Sequence, residues 1–92
     1  MSKAIVDQIL KADGKIIPIS PKNPKNGYSL QEMYLAIDTN MIQVVYTKER
    51  NTIMVCDEEG MFNNKSYNAL ASIIAGQQIL GDVIICNTKN IK

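Results

Sequence analysis

The second half of the chain alternates short apolar runs with polar breaks. Apolar runs at residues 41–46 and 52–56 flank the polar residues 47–51, and a third run follows Gly81-Asp82 at residues 83–86. Short β-branched runs bounded by Gly, Asp and Asn are typical of strands and turns. The pattern predicts a hairpin with a charged, exposed tip and then a last strand. Because the third run is apolar at consecutive positions, we expect it to lie centrally in a sheet covered on both faces.

The spacing of apolar residues 4–10 fits either a helix or a strand, and the turn that follows favours the strand. Asp13-Gly14 is a preferred two-residue hairpin turn, and residues 15–19 are rich in β-branched side chains. We therefore predict two strands joined by a hairpin. Prolines at 18, 21 and 24 then predict an extended, non-helical segment over residues 18–27.

Two short helices are predicted between the strands. Ser29 and Glu32 form a capping-box sequence, so the first helix should begin at Ser29. The second is expected over residues 66–75, with Ser66 as its cap and Gly76 as its stop. The residues predicted to face the sheet are Leu30, Met33, Tyr34 and Ile37 on the first helix, and Leu70, Ile73 and Ile74 on the second.

The predicted order is β-β-α-β-β-α-β in a single α+β domain over residues 1–92, with a mixed or antiparallel sheet of about five strands. The chain is 46% hydrophobic and contains five aromatic residues and no Trp, so its core must be mostly aliphatic. A domain of this size buries roughly 60–65% of the surface of its unfolded chain. Nearly every element must therefore serve one hydrophobic interior.

The net charge and the two cysteines indicate which binding partners and which cellular compartment to expect. The formal charge of +1 argues against a surface that tracks nucleic-acid phosphates. No stretch approaches the roughly 18 apolar residues that span a bilayer, and no leader-like apolar region opens the chain. Cys56 and Cys86 each end a β-branched run, which favours buried thiols over a disulfide or a metal site. We expect a reduced, cytoplasmic compartment.

The residue inventory argues against an enzyme. The chain has no His, which excludes Ser-His-Asp and Cys-His catalysis, and it has neither of the common glycine-rich nucleotide motifs. Asp57, Glu58 and Glu59 are expected to form a solvated turn because adjacent carboxylates mostly point apart. Asp57 should also raise the pKa of its neighbour Cys56, which makes that thiol a poor nucleophile. We expect no catalytic residue, cofactor or metal.

Candidate binding residues occur in three polar segments that combine cations, amides and Tyr rings. Such side chains suit a nucleotide or an RNA base, and a helix N-terminus attracts anions. Each segment is also ordinary surface when taken alone, and the first could be a plain solvent-facing connector. The candidates are Lys22, Lys25, Asn26, Tyr28 and Ser29 before the first helix, Tyr46 and Arg50 near the hairpin tip, and Asn63, Asn64, Lys65 and Tyr67 after the acidic turn.

Four short motifs resemble a family of small domains of unknown function that is common in bacteriophages and mobile elements. They are Leu30-Gln31 at a capped helix start, the segment 53–60 ending in Cys-Asp-Glu-Glu-Gly, Asn68, and Gly81-Asp82 before an apolar strand. The resemblance covers about residues 16–87. Asp57 departs from the Asn common at that position, and Ser66-Tyr67 stands where Pro is frequent. The resemblance implies a gene of phage or plasmid type and carries no catalytic residues.

Three functions are compatible with these observations. The first is a non-enzymatic counter-defence or host-takeover protein that sequesters a small anionic, nucleotide-type signal. The second is an interaction module that blocks a host protein through a sheet edge or hairpin loop. The third, a nucleic-acid accessory, fits the near-neutral charge least well. A small domain has little room for a pocket of roughly 300 Å³, so we also expect a homo-oligomer with its ligand site between subunits.

Overall fold

Antiparallel pairing joins five strands into one sheet in the computed structural model, which describes residues 7–91. The strands are β1 (Gln8–Leu10), β2 (Ile16–Pro18), β3 (Ile42–Tyr46), β4 (Thr52–Asp57) and β5 (Val83–Asn87). Their order across the sheet is β2-β1-β5-β4-β3. The sheet therefore consists of two sequential hairpins, with the last strand inserted between them as its apolar sequence predicts.

Two helices separate the strands along the chain. Helix α1 (Leu30–Ile37) links the two hairpins, helix α2 (Ala69–Ala75) precedes β5, and a short 3-10 turn (Thr88–Asn90) follows β5. The order β-β-α-β-β-α-β and the α+β class are thus confirmed. No helix within residues 7–91 has the length and apolar character needed to cross a membrane.

The hydrophobic interior is divided into two clusters by the sheet. Successive side chains of a strand point to opposite faces, and β4 is buried at all six of its positions. Ile53 and Val55 pack with Met33 and Ile37 of α1, whereas Met54 and Cys56 belong to the cluster that α2 covers. The central strands are therefore buried on both faces.

Several predicted boundaries need correction. Residues 4–6 of the predicted first strand lie outside the described residues, and β1 begins at Gln8. The cap of α2 is Asn68 rather than Ser66, because the buried Asn68 side chain accepts the Ala71 N–H. Of the residues predicted to face the sheet, Ile74 packs against the core, whereas the prediction is wrong for Leu70 and Ile73. Ala71 is fully buried, whereas Ile73 is 77% exposed.

Helix α1 agrees more closely with its prediction. The Ser29 hydroxyl accepts the Glu32 N–H at 3.0 Å and the Glu32 carboxylate accepts the Ser29 N–H at 2.9 Å, so the capping box is present. Met33 and Ile37 are buried against the sheet as predicted. Leu30 is 55% exposed, so its predicted packing is wrong. The C-terminal stop of α2 at Gly76 is confirmed by its left-handed backbone.

Candidate functional site

The loop before α1 is built around a turn at Asn23. The Asn23 carbonyl accepts the Gly27 N–H at 3.0 Å, and the Asn23 side-chain oxygen accepts the Lys25 N–H at 3.1 Å. Gly27 has a positive φ of 74°, and a side chain at this position would collide with the Asn90 backbone. Lys22, Lys25 and Asn26 are exposed on this loop. Backbone bonding therefore fixes the loop that carries two of the candidate lysines.

The N-terminus of α1 already holds an anion that belongs to the chain. The two carboxylate oxygens of Glu32 accept the backbone N–H groups of Ser29 and Lys22, at 2.9 and 3.0 Å. These hydrogen bonds lower the pKa of Glu32. The expectation that a phosphate would dock at this helix end therefore needs revision, since Glu32 occupies the position.

Tyr28 is buried and anchors the loop to the rest of the domain. Its hydroxyl donates to Asp7 Oδ2 at 2.7 Å, and its backbone N–H donates to the Asn90 carbonyl at 2.8 Å. Asp7 also accepts the Asn90 side-chain amide at 2.7 Å and the Asn87 N–H at 3.1 Å. Burial, and then the bond to Asp7, raise the pKa of the Tyr28 hydroxyl. Tyr28 is also one of the residues that line the cleft described below.

The hairpin tip lies at the same end of the sheet as this loop. The Thr88 N–H donates to the Asn51 carbonyl at 2.9 Å, and Asn90 two residues later bonds to Tyr28. Tyr46 is 80% exposed at the end of β3, and Arg50 is exposed at the tip. The structure thus brings the first two candidate segments to one end of the sheet, with the 3-10 turn between them.

The third candidate segment lies at the opposite end of the sheet. Lys65 Nζ donates to the carbonyls of Ile37 and Asp38, at 3.1 and 2.6 Å, and so neutralises the carbonyl end of α1. An eight-residue helix is about 12 Å long, and it separates Lys65 from Ser29. Asn64 and Tyr67 are exposed at this end. The segment therefore forms no common site with the loop before α1.

Asp57 differs from its expected place in a solvated turn. It is buried, and its carboxylate accepts the Thr39 hydroxyl at 2.9 Å, the Glu59 N–H at 2.8 Å and the Asn63 amide at 3.0 Å. Burial alone would raise its pKa, but these hydrogen bonds and the nearby Lys65 ammonium lower it below its usual value. Asp57 is thus a structural anion, while Glu58 and Glu59 are exposed as predicted.

The other motif residues are also occupied by structural bonds. The buried Asn68 amide donates to the carbonyls of Leu10 and Gly81, both at 2.9 Å. Asp82 accepts the Ala12 N–H at 2.8 Å and the Lys11 ammonium at 3.0 Å. These contacts attach the first hairpin to α2 and β5. The motif residues therefore connect elements of the fold, and ligand binding depends on other residues.

A cleft of about 310 Å³ opens between α1 and the segment before it. Most of its wall is apolar, and two of the predicted candidates, Lys22 and Tyr28, contribute to it. Its volume lies at the lower end of the range for small-molecule sites. A single chain therefore forms a cleft of a size that we expected only between subunits. The lining residues are Ile19, Ser20, Lys22, Tyr28, Glu32, Leu35, Ala36 and Ile84.

Sequence reasoning missed most of this cleft. Leu35 and Ala36 do not belong to the predicted core stripe of α1, and Ile19 is predicted as the end of a strand. No spacing rule indicates that these residues meet Ile84 of β5 around a space. A smaller cleft of about 170 Å³ lies on the α2 side of the sheet, beside Cys56 and Gln43.

Both cysteines are free and buried, as predicted. Burial, together with a nearby carboxylate, raises the pKa of Cys56 and raises that of Cys86 to about 12. Within residues 7–91, no three side chains of the His, Cys, Asp and Glu types lie close enough together to hold a metal ion.

The model of one protein family matches almost the whole chain. It is DUF3846, a domain of unknown function, and the match spans residues 9–92. No curated protein and no solved structure matches the sequence.

Proposed function

The chain belongs to the DUF3846 family, whose function is not known, and we propose that it binds and sequesters a small anionic, nucleotide-type ligand without chemical turnover. The observation that carries this proposal is the cleft of about 310 Å³ beside α1, which combines an apolar wall with Lys22. Ligand sites are commonly concave and mostly apolar, with a few polar groups that fix orientation.

The apolar wall suits a flat ring. Tyr28, Ala36 and Ile84 lie on the protein side of the cleft, and Leu35 is 72% exposed at its margin. A ring that entered the cleft would cover this leucine and contact Tyr28. A space of this size fits a base-sized group, so the phosphates of a nucleotide would stay at the solvent edge.

Lys22 supplies the positive charge that would attract an anion to that edge, beside the negative charge of Glu32. Glu32 is the acidic residue of the cleft, and both carboxylate oxygens already accept backbone N–H groups. Lys22 carries a cation on the same wall, and within residues 7–91 it forms no ion pair. A phosphate beside Lys22 would gain a charge-assisted hydrogen bond.

Sequestration without turnover is supported by the composition of the chain. It has no His to act as a general base, and the cysteines have raised pKa values that keep them as thiols. The resemblance to phage and mobile-element domains supplies the context. We place the protein in the cytoplasm of a host cell, where it would remove a nucleotide signal that the host uses in defence.

Native mass spectrometry with cyclic dinucleotides and ADP-ribose-type nucleotides tests the proposal. The expected result is one unmodified ligand per cleft. Lys22→Ala should then weaken binding about ten- to a hundredfold, because it removes a charged hydrogen bond. Lys25→Ala is the matched control, since Lys25 carries the same charge on the same loop but does not line the cleft.

Ala36→Phe adds a second, charge-neutral test, since the larger side chain would fill the cleft from a half-buried position on α1. It should abolish binding while the circular dichroism spectrum is preserved. Absence of any adduct across the panel would reject the proposal. Equal losses in Lys22→Ala and Lys25→Ala would reject the cleft as the site.

A second candidate function is the blocking of a host protein through the sheet edge at β3. It is favoured by Tyr46, which is 80% exposed on a strand without charged residues. A photo-crosslinking residue at position 46 that captured one stoichiometric host protein, together with no nucleotide adduct, would favour this function over sequestration.

A further inference from the structure

The two edges of the sheet differ in how they resist the addition of another strand. The β2 edge is three residues long and ends in Pro18, which lacks a backbone donor. The β3 edge is five residues long, and its sequence Ile-Gln-Val-Val-Tyr contains neither Pro nor charge. Within residues 7–91, no strand pairs with the outer side of β3. Only the β3 edge is therefore suited to accept a strand.

The register of β3 identifies the backbone groups at this edge. The Glu58 N–H donates to the Met41 carbonyl, and Gln43 and Val45 lie opposite Cys56 and Met54 of β4. Hydrogen-bonded and non-hydrogen-bonded pairs alternate along an antiparallel ladder. The intervening residues Ile42, Val44 and Tyr46 consequently direct their backbone N–H and C=O groups to the outer edge.

We infer that β3 is the interface of a symmetric homodimer, in which β3 of a second copy adds antiparallel to it about a two-fold axis at Val44. Val44 then lies opposite Val44 of the second copy, and Ile42 lies opposite Tyr46 of the second copy. Pairs of aromatic and β-branched residues are favourable across strands. The two five-stranded sheets become one continuous sheet of ten strands.

Side-chain exposure agrees with this register. Ile42 packs at the margin of the α1-side cluster, and Val44 and Tyr46 lie on the same face of the strand. They are 39% and 80% exposed in the single chain. In the dimer, each of these side chains gains an apolar neighbour from the second copy, and the cluster extends across the axis.

Charge complementarity distinguishes a second copy from other occupants. The hairpin tip beyond β3 carries Lys48, Glu49 and Arg50, whereas the other end of the strand is flanked by Asp38 and Glu58, both exposed. Asp38 also pairs with Lys65 at 3.8 Å. In the antiparallel arrangement, the tip end of each β3 lies beside the starting end of β3 of the second copy. The two-fold axis repeats this arrangement, so the dimer contains two such contacts between a basic tip and an acidic end.

The inference goes beyond the proposed ligand function and is independent of it, but it excludes the second candidate function, because one β3 edge cannot pair with both a second copy and a host protein. The cleft is lined from α1, β5 and the segment after β2, and none of its lining residues belongs to β3. Dimerisation through β3 leaves both clefts open, and the dimer would bind two ligands.

Cysteine crosslinking tests the register in the full chain. Residues in a hydrogen-bonded antiparallel pair have Cα atoms about 5.5 Å apart, which a short bismaleimide spans. Val44→Cys should therefore give a covalent dimer, while the native thiols remain buried. Ile17→Cys on the exposed β2 edge is the matched control and should stay monomeric on a denaturing gel. Crosslinking of the control alone, or of neither variant, would overturn the inference.

Sedimentation over a range of concentrations tests the dimer and its charges without altering the strand. The unmodified chain should sediment as a dimer. Lys48→Glu combined with Arg50→Glu should raise the dimer dissociation constant at least about tenfold at low salt, because both hairpin tips become acidic and repel the acidic ends beside them. Lys15→Glu, at the turn near the opposite edge, should leave it unchanged. A monomer at all concentrations, or equal effects of the two changes, would refute the interface.

Discussion

Replacement of Asn68 by Asp should destabilise the domain strongly, although the two side chains have nearly the same shape. Asn68 is 1% exposed. Its amide nitrogen donates to the carbonyls of Leu10 and Gly81, and its oxygen accepts the Ala71 N–H. A carboxylate keeps the bond to Ala71 but has no proton for the two carbonyls.

The magnitude follows from these contacts. Each neutral hydrogen bond contributes about 0.5–1.5 kcal/mol to stability, and a buried polar group left without a partner costs about 1–3 kcal/mol more. Loss of two donors and the apposition of a charge to two carbonyl oxygens should together lower the free energy of unfolding by about 3–5 kcal/mol. For a domain of this size, that corresponds to a fall in Tm of at least about 12 °C.

Urea unfolding, followed by circular dichroism at several pH values, checks the prediction. Burial and the facing carbonyls should raise the pKa of the new carboxyl in the folded state. The protonated acid can donate one hydrogen bond, so the loss should be smallest below pH about 4 and should grow as the pH rises through the folded-state pKa. Asn26→Asp makes the same change on the surface. A loss below about 1 kcal/mol, or one that does not vary with pH, would refute the role assigned to Asn68.

Two further predictions concern carboxylates that accept several hydrogen bonds. Tyr28→Phe should lower the free energy of unfolding by about 1.5–3 kcal/mol, because it removes the hydroxyl that donates to the Asp7 carboxylate. Tyr46→Phe is the control, because Tyr46 is exposed. Equal losses of the two variants in urea unfolding would contradict the prediction. Acid should destabilise the protein through Asp57 and Asp82, whose folded-state pKa values are lowered. Their contribution is present above the unfolded pKa of about 3.9 and is lost as the pH falls through the folded values. Asp82→Asn should flatten the urea stability profile at low pH, and an unchanged profile would contradict this.

The structure gives the motif residues a common role. Asp57 accepts hydrogen bonds from the side chains of Thr39 and Asn63. Asn68 donates to the carbonyls of Leu10 and Gly81. Asp82 accepts the Ala12 N–H in the turn between the first two strands. Substitutions at these positions should lower stability before they change any binding. Residues at the cleft margin, such as Lys22 and Leu35, are the ones expected to decide which ligand is bound.

Local sequence patterns are sufficient to predict the helices and strands of this protein and their order. The capping box at Ser29, the apolar run of β5 and the Asp-Gly turn act over a few neighbouring residues, so local chemistry was sufficient to predict a helix, a central strand and a hairpin. It also indicated that Cys56 and Cys86 are buried. The predicted cap of α2 at Ser66 was wrong, because Ser and Asn are both favourable N-cap residues and no local rule distinguishes them.

Tertiary structure decided the contacts between residues that are distant in the chain. The amide of Asn68 became the cap because it also reaches two carbonyls, one of them 58 residues away. The cleft exists because Ile84 lies beneath Leu35 and Ala36 of α1 and beside Lys22, and the hairpin tip lies near that loop because the 3-10 turn joins them. These arrangements depend on how the sheet brings separate segments together, which local spacing does not specify.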